Sequence, residues 1–289
     1  MLDQAESLRR LARGEVQDEQ KRKARIITVT SGKGGVGKSN FVVNLAITLV
    51  QKGKKVLIFD ADIGMGNDDV LMGIYTKNSV LDLINGKLAI EDIIVNGPEG
   101  VKLLPGGSGL NNIEDLQQNQ RDLFLKKIEM LEGFDYIFID TGAGISRSVL
   151  AFIACSDEVI LVTTPEPTSL TDGYSLLKAV DHFKIKDKAS IVVNKILEKK
   201  EGDQTFSKFK MAVNRFLKLD VNFLGVVYED RKLIMSVREQ LPFVIGYPSC
   251  DAAKCIKTIS EKIIGEKKET MGVGAQGLFK RLFNIFDIF

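Results

Sequence analysis

The chain has 289 residues, 44% hydrophobic and 27% charged, an ordinary balance for a globular protein and enough length for one large α/β domain with tails. Its 40 basic and 38 acidic residues leave a net charge of +2, so there is no bulk electrostatic drive toward nucleic acid. Three cysteines without C-x-x-C spacing (Cys155, Cys250, Cys255) and a single histidine, His182, argue against zinc centres and histidine-based triads, and fit reduced thiols in a cytoplasmic protein.

Residues 1–13 read as a short helix with Leu2, Ala5, Leu8, Leu11 and Ala12 on one face. Arg9, Arg10 and Arg13 stand where a signal peptide would need an apolar core, and no stretch reaches the roughly 18 apolar residues of a spanning helix. Residues 14–25 are almost wholly polar and include Lys21-Arg22-Lys23, a linker or arm. Such a tethered amphipathic segment either packs back on its domain or docks in a partner groove.

An apolar strand over 26–30 follows. It leads into Ser31-Gly32-Lys33-Gly34-Gly35-Val36-Gly37-Lys38-Ser39 and then into helical spacing over 41–47. Strand, glycine loop and helix are the context that makes G-x-x-x-x-G-K-[ST] a phosphate-binding P-loop. Glycines let backbone N–H groups turn inward onto phosphate oxygens, and the helix N-terminus adds partial positive charge. Lys38 is placed to neutralise β- and γ-phosphates, and the Ser39 hydroxyl to ligate Mg²⁺.

Beyond the loop, apolar strands over 55–60, 101–104, 136–140, 158–163, 190–194 and 222–227 alternate with helical patterns over 116–131, 169–182, 206–217 and 232–240. This predicts an α/β fold: a mostly parallel central β-sheet flanked by helices on both faces, with amphipathic helical tails. Ligands collect at the carboxyl ends of such strands. Two of them end in aspartate, in Asp60-Ala61-Asp62 and in Asp140-Thr141-Gly142-Ala143-Gly144. Asp140 fits a metal-side carboxylate acting through a bound water, and Gly144 a γ-phosphate-sensing loop.

Residues 265–277 are polar and glycine-punctuated, a linker. In the final segment, 278–289, Leu278, Phe279, Leu282, Phe283, Phe286 and Phe289 make the apolar side of a helix, with Lys280, Asn284 and Asp287 opposite. It is too short to cross a bilayer and suited to lying in its interface; docking on the protein's own core is the alternative. One such helix binds a membrane weakly, and two joined in a dimer gain about 10²-fold or more by avidity.

Lys33, directly after the first glycine, makes the loop resemble the deviant Walker A motif of the MinD/ParA class of P-loop ATPases, and the resemblance runs over residues 25–265. It implies ATP and Mg²⁺ as cofactors, ATP hydrolysis, and an ATP-dependent homodimer in which Lys33 reaches the phosphates across the interface. Lys33, Lys38 and Asp62 are the implied catalytic residues, Asp62 positioning the attacking water. Ser39, Asp60 and Asp140 are the implied metal-side residues. Nucleotide contacts fall to Gly32, Lys33, Gly34, Gly35, Val36, Gly37, Lys38, Ser39 and Asn40. Asn194 would meet the adenine edge, and Glu229 and Asp230 would form the second adenine-side loop.

Asp3-Gln4-Ala5-x-x-Leu8-Arg9 resembles the N-terminal DQA motif of the FlhG (YlxH/FleN) branch, which controls flagellar number and placement. The expected organisation is a partner-binding arm (1–24), an ATPase domain (25–264), a linker (265–277) and a membrane-targeting helix (278–289). Expected partners are the flagellar GTPase FlhF through Asp3, Gln4, Ala5, Leu8 and Arg9, flagellar switch-complex proteins or a flagellar transcription regulator, and an anionic membrane surface at the inner face of the cell membrane. Nucleic acid is not an expected partner. A MinD-type division-site regulator and a ParA-like DNA partition ATPase are the competing readings. A nitrogenase-reductase-like redox enzyme lacks suitably placed cluster cysteines.

Overall fold

The computed structural model describes residues 24–62, 66–86, 88–107, 117–128, 131, 133–266 and 274–288. Arg25–Ser31 (β1) passes through the glycine loop into Lys38–Gln51 (α1), and Val56–Ala61 (β2) follows, buried along its whole length. Then come Val95–Asn96 (β3), Lys102–Pro105 (β4), Gln118–Ile128 (α2), Tyr136–Ala143 (β5) and Arg147–Cys155 (α3). Glu158–Thr163 (β6), Pro167–His182 (α4), Lys188–Ile196 (β7), Lys199–Phe216 (α5) and Asp220–Tyr228 (β8) continue the alternation. Arg231–Arg238 (α6), Asp251–Gly265 (α7) and Gly274–Ile288 (α8) end it.

The strands form one sheet of eight in the order β3-β4-β2-β5-β1-β6-β7-β8. Every neighbouring pair is parallel except β3 with β4, a two-residue antiparallel edge too short to leave an apolar run in the sequence. The period of two sorts side chains to the faces. Ile27, Val29, Val56 and Ile58 pack with Phe41 and Leu45 of α1 and with Ile256 and Ile259 of α7. Their neighbours Ile26, Leu57 and Phe59 pack on the other face. There, under β6 and β7, Leu161 and Ile191 meet Leu176 of α4 and Val213 of α5.

Helix α5 starts seven residues before the expected 206, because its inward positions there are Gly202 and Thr205 rather than large apolar residues. A Cβ at Gly202 would crowd Val226 and Ile196, so the small residue lets α5 lie close on the sheet. Gly265 closes α7 and residues 274–277 open α8, so both ends of the expected 265–277 linker are helical.

The terminal helix docks on the protein's own core. Leu278, Phe279, Leu282 and Phe283 are buried in the second face's cluster. The Phe279 ring stands 5.6 Å from Phe59 and 5.0 Å from Phe124, and Phe283 stands 5.8 Å from Phe124. The Arg121 guanidinium lies 5.4 Å from the Phe283 ring centre. The two contacts to Phe124 are edge-on, and such pairs add to the gain from area burial. The Phe286 side chain and all of Phe289 lie outside the described residues. Phe279→Ala should cost about 3–5 kcal/mol of unfolding free energy, read by urea denaturation. A cost below about 1 kcal/mol would mean that α8 is no part of the core.

Candidate active site

The loop between β1 and α1 sits at the carboxyl end of the central strand, flanked by β5 and β6. Gly37 caps α1 at φ 90°, in the left-handed region, where a side chain would also collide with Asn194. Gly32 has a different reason to be glycine: a Cβ there would overlap the backbone of Asp172 in α4. These two positions keep the loop curled with its backbone open at the helix N-terminus.

Parallel register does the rest. Asp60 of β2 is the direct neighbour of Asp140 of β5, so the two strand-end carboxylates stand side by side. Lys38 Nζ lies 2.6 Å from Asp140 Oδ1, with both side chains buried. Burial first, then Asp140, pushes the Asp60 carboxyl up to about 7, against the partial relief of Asp62 and Asp68 backbone N–H groups and Lys38. Asp62 N–H donates to Asp60 Oδ1 at 3.2 Å. The Asp62 carboxylate faces Gly142, a residue that a Cβ would bring to 3.3 Å from Asp62 Oδ1. Gly144 N–H donates to Ser31 O at 2.8 Å, which ties the loop after β5 to the start of the P-loop.

Lys33 points elsewhere. Its ammonium, 42% exposed, donates to Thr168 Oγ1 at 3.0 Å and pairs with Glu166 Oε2 at 3.3 Å, both in the turn and first residues of α4. Such an exposed pair is worth about 1 kcal/mol at most, so little holds Lys33 in place.

On the other side of the loop a cavity of about 410 Å³ is lined by Gly35, Gly37, Asn40, Asn194, Glu229 and Asp230, six of the residues expected there, together with Phe41, Leu233 and Phe243. Asn194 Nδ2 donates to Val36 O at 2.7 Å. The Asp230 side chain is occupied as the N-cap of α6, accepting from Lys232 N–H, so its own contribution to the cavity is chiefly backbone. A flat apolar ring with polar edges suits this mixture.

Three residues escaped the sequence reading. Lys195, at φ 57°, donates from Nζ to Gly35 O at 2.7 Å and braces the loop. Buried Asn44 accepts from Val244 N–H and donates to Asn40 O, joining α1 to the Phe243 wall; its one signal is a lone amide inside an apolar helical run. Asp68 is fully buried beside Asp60 and Asp140, and neither of its carboxylate oxygens accepts a hydrogen bond among the described residues. Burial and the two neighbouring carboxylates hold its carboxyl well above the usual range. Asp3, Gln4, Ala5, Leu8 and Arg9 lie outside the described residues.

A parallel sheet with a curled glycine loop at its central strand, a buried lysine on a strand-end aspartate and a second lysine on the rim defines a P-loop ATPase of the MinD/ParA type. The AAA-domain family model matches residues 24–193. The chain is 39% identical over 271 residues to the flagellum site-determining protein YlxH of Helicobacter pylori, covering 91% of each chain. It is 34% identical over 239 residues to the antiactivator FleN of Pseudomonas aeruginosa, covering 82% of this chain and 85% of that one. The septum site-determining protein MinD of Pyrococcus horikoshii, solved with Mg-ADP, superposes with a TM-score of 0.65 at 26% identity, over 86% of this chain and 100% of that one. The chain belongs to this family of ATPases, alongside FleN and YlxH.

The residues fit a magnesium nucleotide. Among the described residues no three His, Cys, Asp or Glu side chains form a metal cage. A P-loop Mg²⁺ needs none, since it draws most of its shell from phosphate and water. Ser39 and, through water, Asp60 and Asp140 would hold it, and bound there it would neutralise charge on the phosphates.

Because the folded-state value of Asp60 stands above the unfolded one, its carboxyl contributes stability present below about pH 4 and lost as pH rises through about 7. Asp60→Asn should flatten that part of the nucleotide-free protein's pH dependence, read as urea midpoints from pH 4 to 8. An unchanged slope would mean that Asp60 ionises as an ordinary carboxylate.

Proposed function

We propose that this ATPase regulates flagellar number and placement as a spatial switch, closing into a dimer on ATP and holding the membrane through α8 until hydrolysis releases it. Near full-length similarity to YlxH and FleN supports the flagellar assignment. The observation that carries the switch is Lys33: a P-loop lysine on the exposed rim, held among the described residues by Glu166 and Thr168, is available to the phosphates of a facing copy. In that arrangement Lys38 and the loop N–H groups bind phosphate, Asp62 orients the attacking water, and Lys33 stabilises charge from the other subunit.

Membrane binding needs α8 to leave the core, because its Phe279 and Phe283 are buried. The geometry offers a route. Phe279 packs on Phe59, the residue before Asp60, and Phe59 in turn lies 5.8 Å from Phe152 of α3, the helix that follows Gly144. Movement of the two strand ends about a γ-phosphate would loosen the seat of α8. The N-terminal segment 1–13 is the proposed docking arm for a flagellar GTPase partner, FlhF.

Two outcomes test this reading. Asp62→Ala with ATP should accumulate a species of twice the monomer mass, while the parent returns to monomer as ATP is spent. Parent-rate hydrolysis by the variant would remove Asp62 from its role. The full chain should pellet with anionic vesicles in ATP and stay in solution in ADP, and K280E/R281E, at exposed positions, should weaken pelleting at least tenfold. Equal pelleting in both nucleotides, or none in either, would overturn the membrane switch.

A further inference from the structure

Asp68 is the one buried carboxylate near the site that the ATPase reading leaves without work. It opens the helical turn Asp68–Leu71 that follows the β2 loop, and it is fully buried. Its neighbours are charged: Asp140 and Asp60 on the strand ends and the Lys38 ammonium. Neither Oδ1 nor Oδ2 accepts a hydrogen bond among the described residues. Adjacent Asp69 is in a different position, accepting from Thr76 Oγ1 at 2.8 Å and from Val70 N–H at 2.7 Å. The nearest side-chain partner of Asp68 is another carboxyl, that of Asp140; a buried carboxylate given no donor is expensive, and a native fold keeps one where a cation or a reaction uses it.

Among the described residues one cation, Lys38, faces this group, and it is shared. Lys38 pairs with Asp140 at 2.6 Å, yet the same ammonium is the one the P-loop presents to phosphate. Once phosphate draws Lys38 away, Asp60, Asp68 and Asp140 face one another with no protein cation between them. The geometry points to Asp68 as an outer carboxylate of the magnesium pocket, one that would meet the ion only through its water shell, beside Asp60 and Asp140, and so makes nucleotide and magnesium binding depend on each other. This inference rests on the site taking a magnesium nucleotide.

The test compares the Kd of a fluorescent ADP in excess Mg²⁺ and in EDTA for the parent, Asp68→Asn and Asp69→Asn, with melting temperatures measured alongside. For the parent, Mg²⁺ should tighten ADP binding. In Asp68→Asn that tightening should shrink about tenfold, while the affinity in EDTA holds or improves and the melting temperature does not fall. Asp69→Asn should keep the parent's magnesium dependence. A parent-like magnesium dependence in Asp68→Asn would overturn the inference. So would a lowered melting temperature with equal loss of both affinities, the mark of a carboxyl that serves packing only. No magnesium effect in the parent itself would instead overturn the reading of the site on which the inference rests.

Discussion

The ion pair between Lys38 and Asp140 is the constraint around which the molecule is arranged. It is buried, and it joins the first turn of α1 to the carboxyl half of β5 across 102 residues of sequence. Buried pairs recover their desolvation cost only with good geometry, and removing one partner costs several kcal/mol. The pair is therefore weak evidence of stability and better evidence of a site. Asp140 holds the lysine at the P-loop, where a bound phosphate would compete with it for the one positive charge. Parallel register sets Asp60 against Asp140, and the helical turn after β2 adds Asp68 beside them.

The C-terminal helix shows a second kind of sharing. A face of leucine and phenylalanine that suits a lipid interface also suits a groove between α2 and α3, and here Phe279 and Phe283 fill that groove. Hydrophobic burial is non-directional, so amphipathic spacing alone does not choose between lipid and protein. What a membrane role requires is that the two options lie close in free energy, with nucleotide deciding between them.

Much of this was legible in the sequence because the signals are local. The P-loop needs nine consecutive residues with their flanking strand and helix, and the strands of a sheet covered on both faces read as apolar runs. The Asn194, Glu229 and Asp230 positions were reached through resemblance, and the cavity gathers them. What stayed hidden depends on contacts between distant segments. The neighbour relation of Asp60 and Asp140 is a matter of strand order, with β5 inserted between β1 and β2. The first turns of α5 carry glycine and threonine inward, which no apolar count detects. Asp68 sits among polar loop residues and shows its burial only in three dimensions.

The most direct test of the central claim, that Asp140 and phosphate compete for Lys38, is the affinity of ATP in EDTA for Asp140→Asn against the parent, by equilibrium titration. Freed of its carboxylate, Lys38 should bind Mg²⁺-free ATP at least as tightly as in the parent. A substantial loss of Mg²⁺-free affinity in a folded variant would show that Asp140 holds Lys38 ready for phosphate rather than competing for it, and would contradict the account.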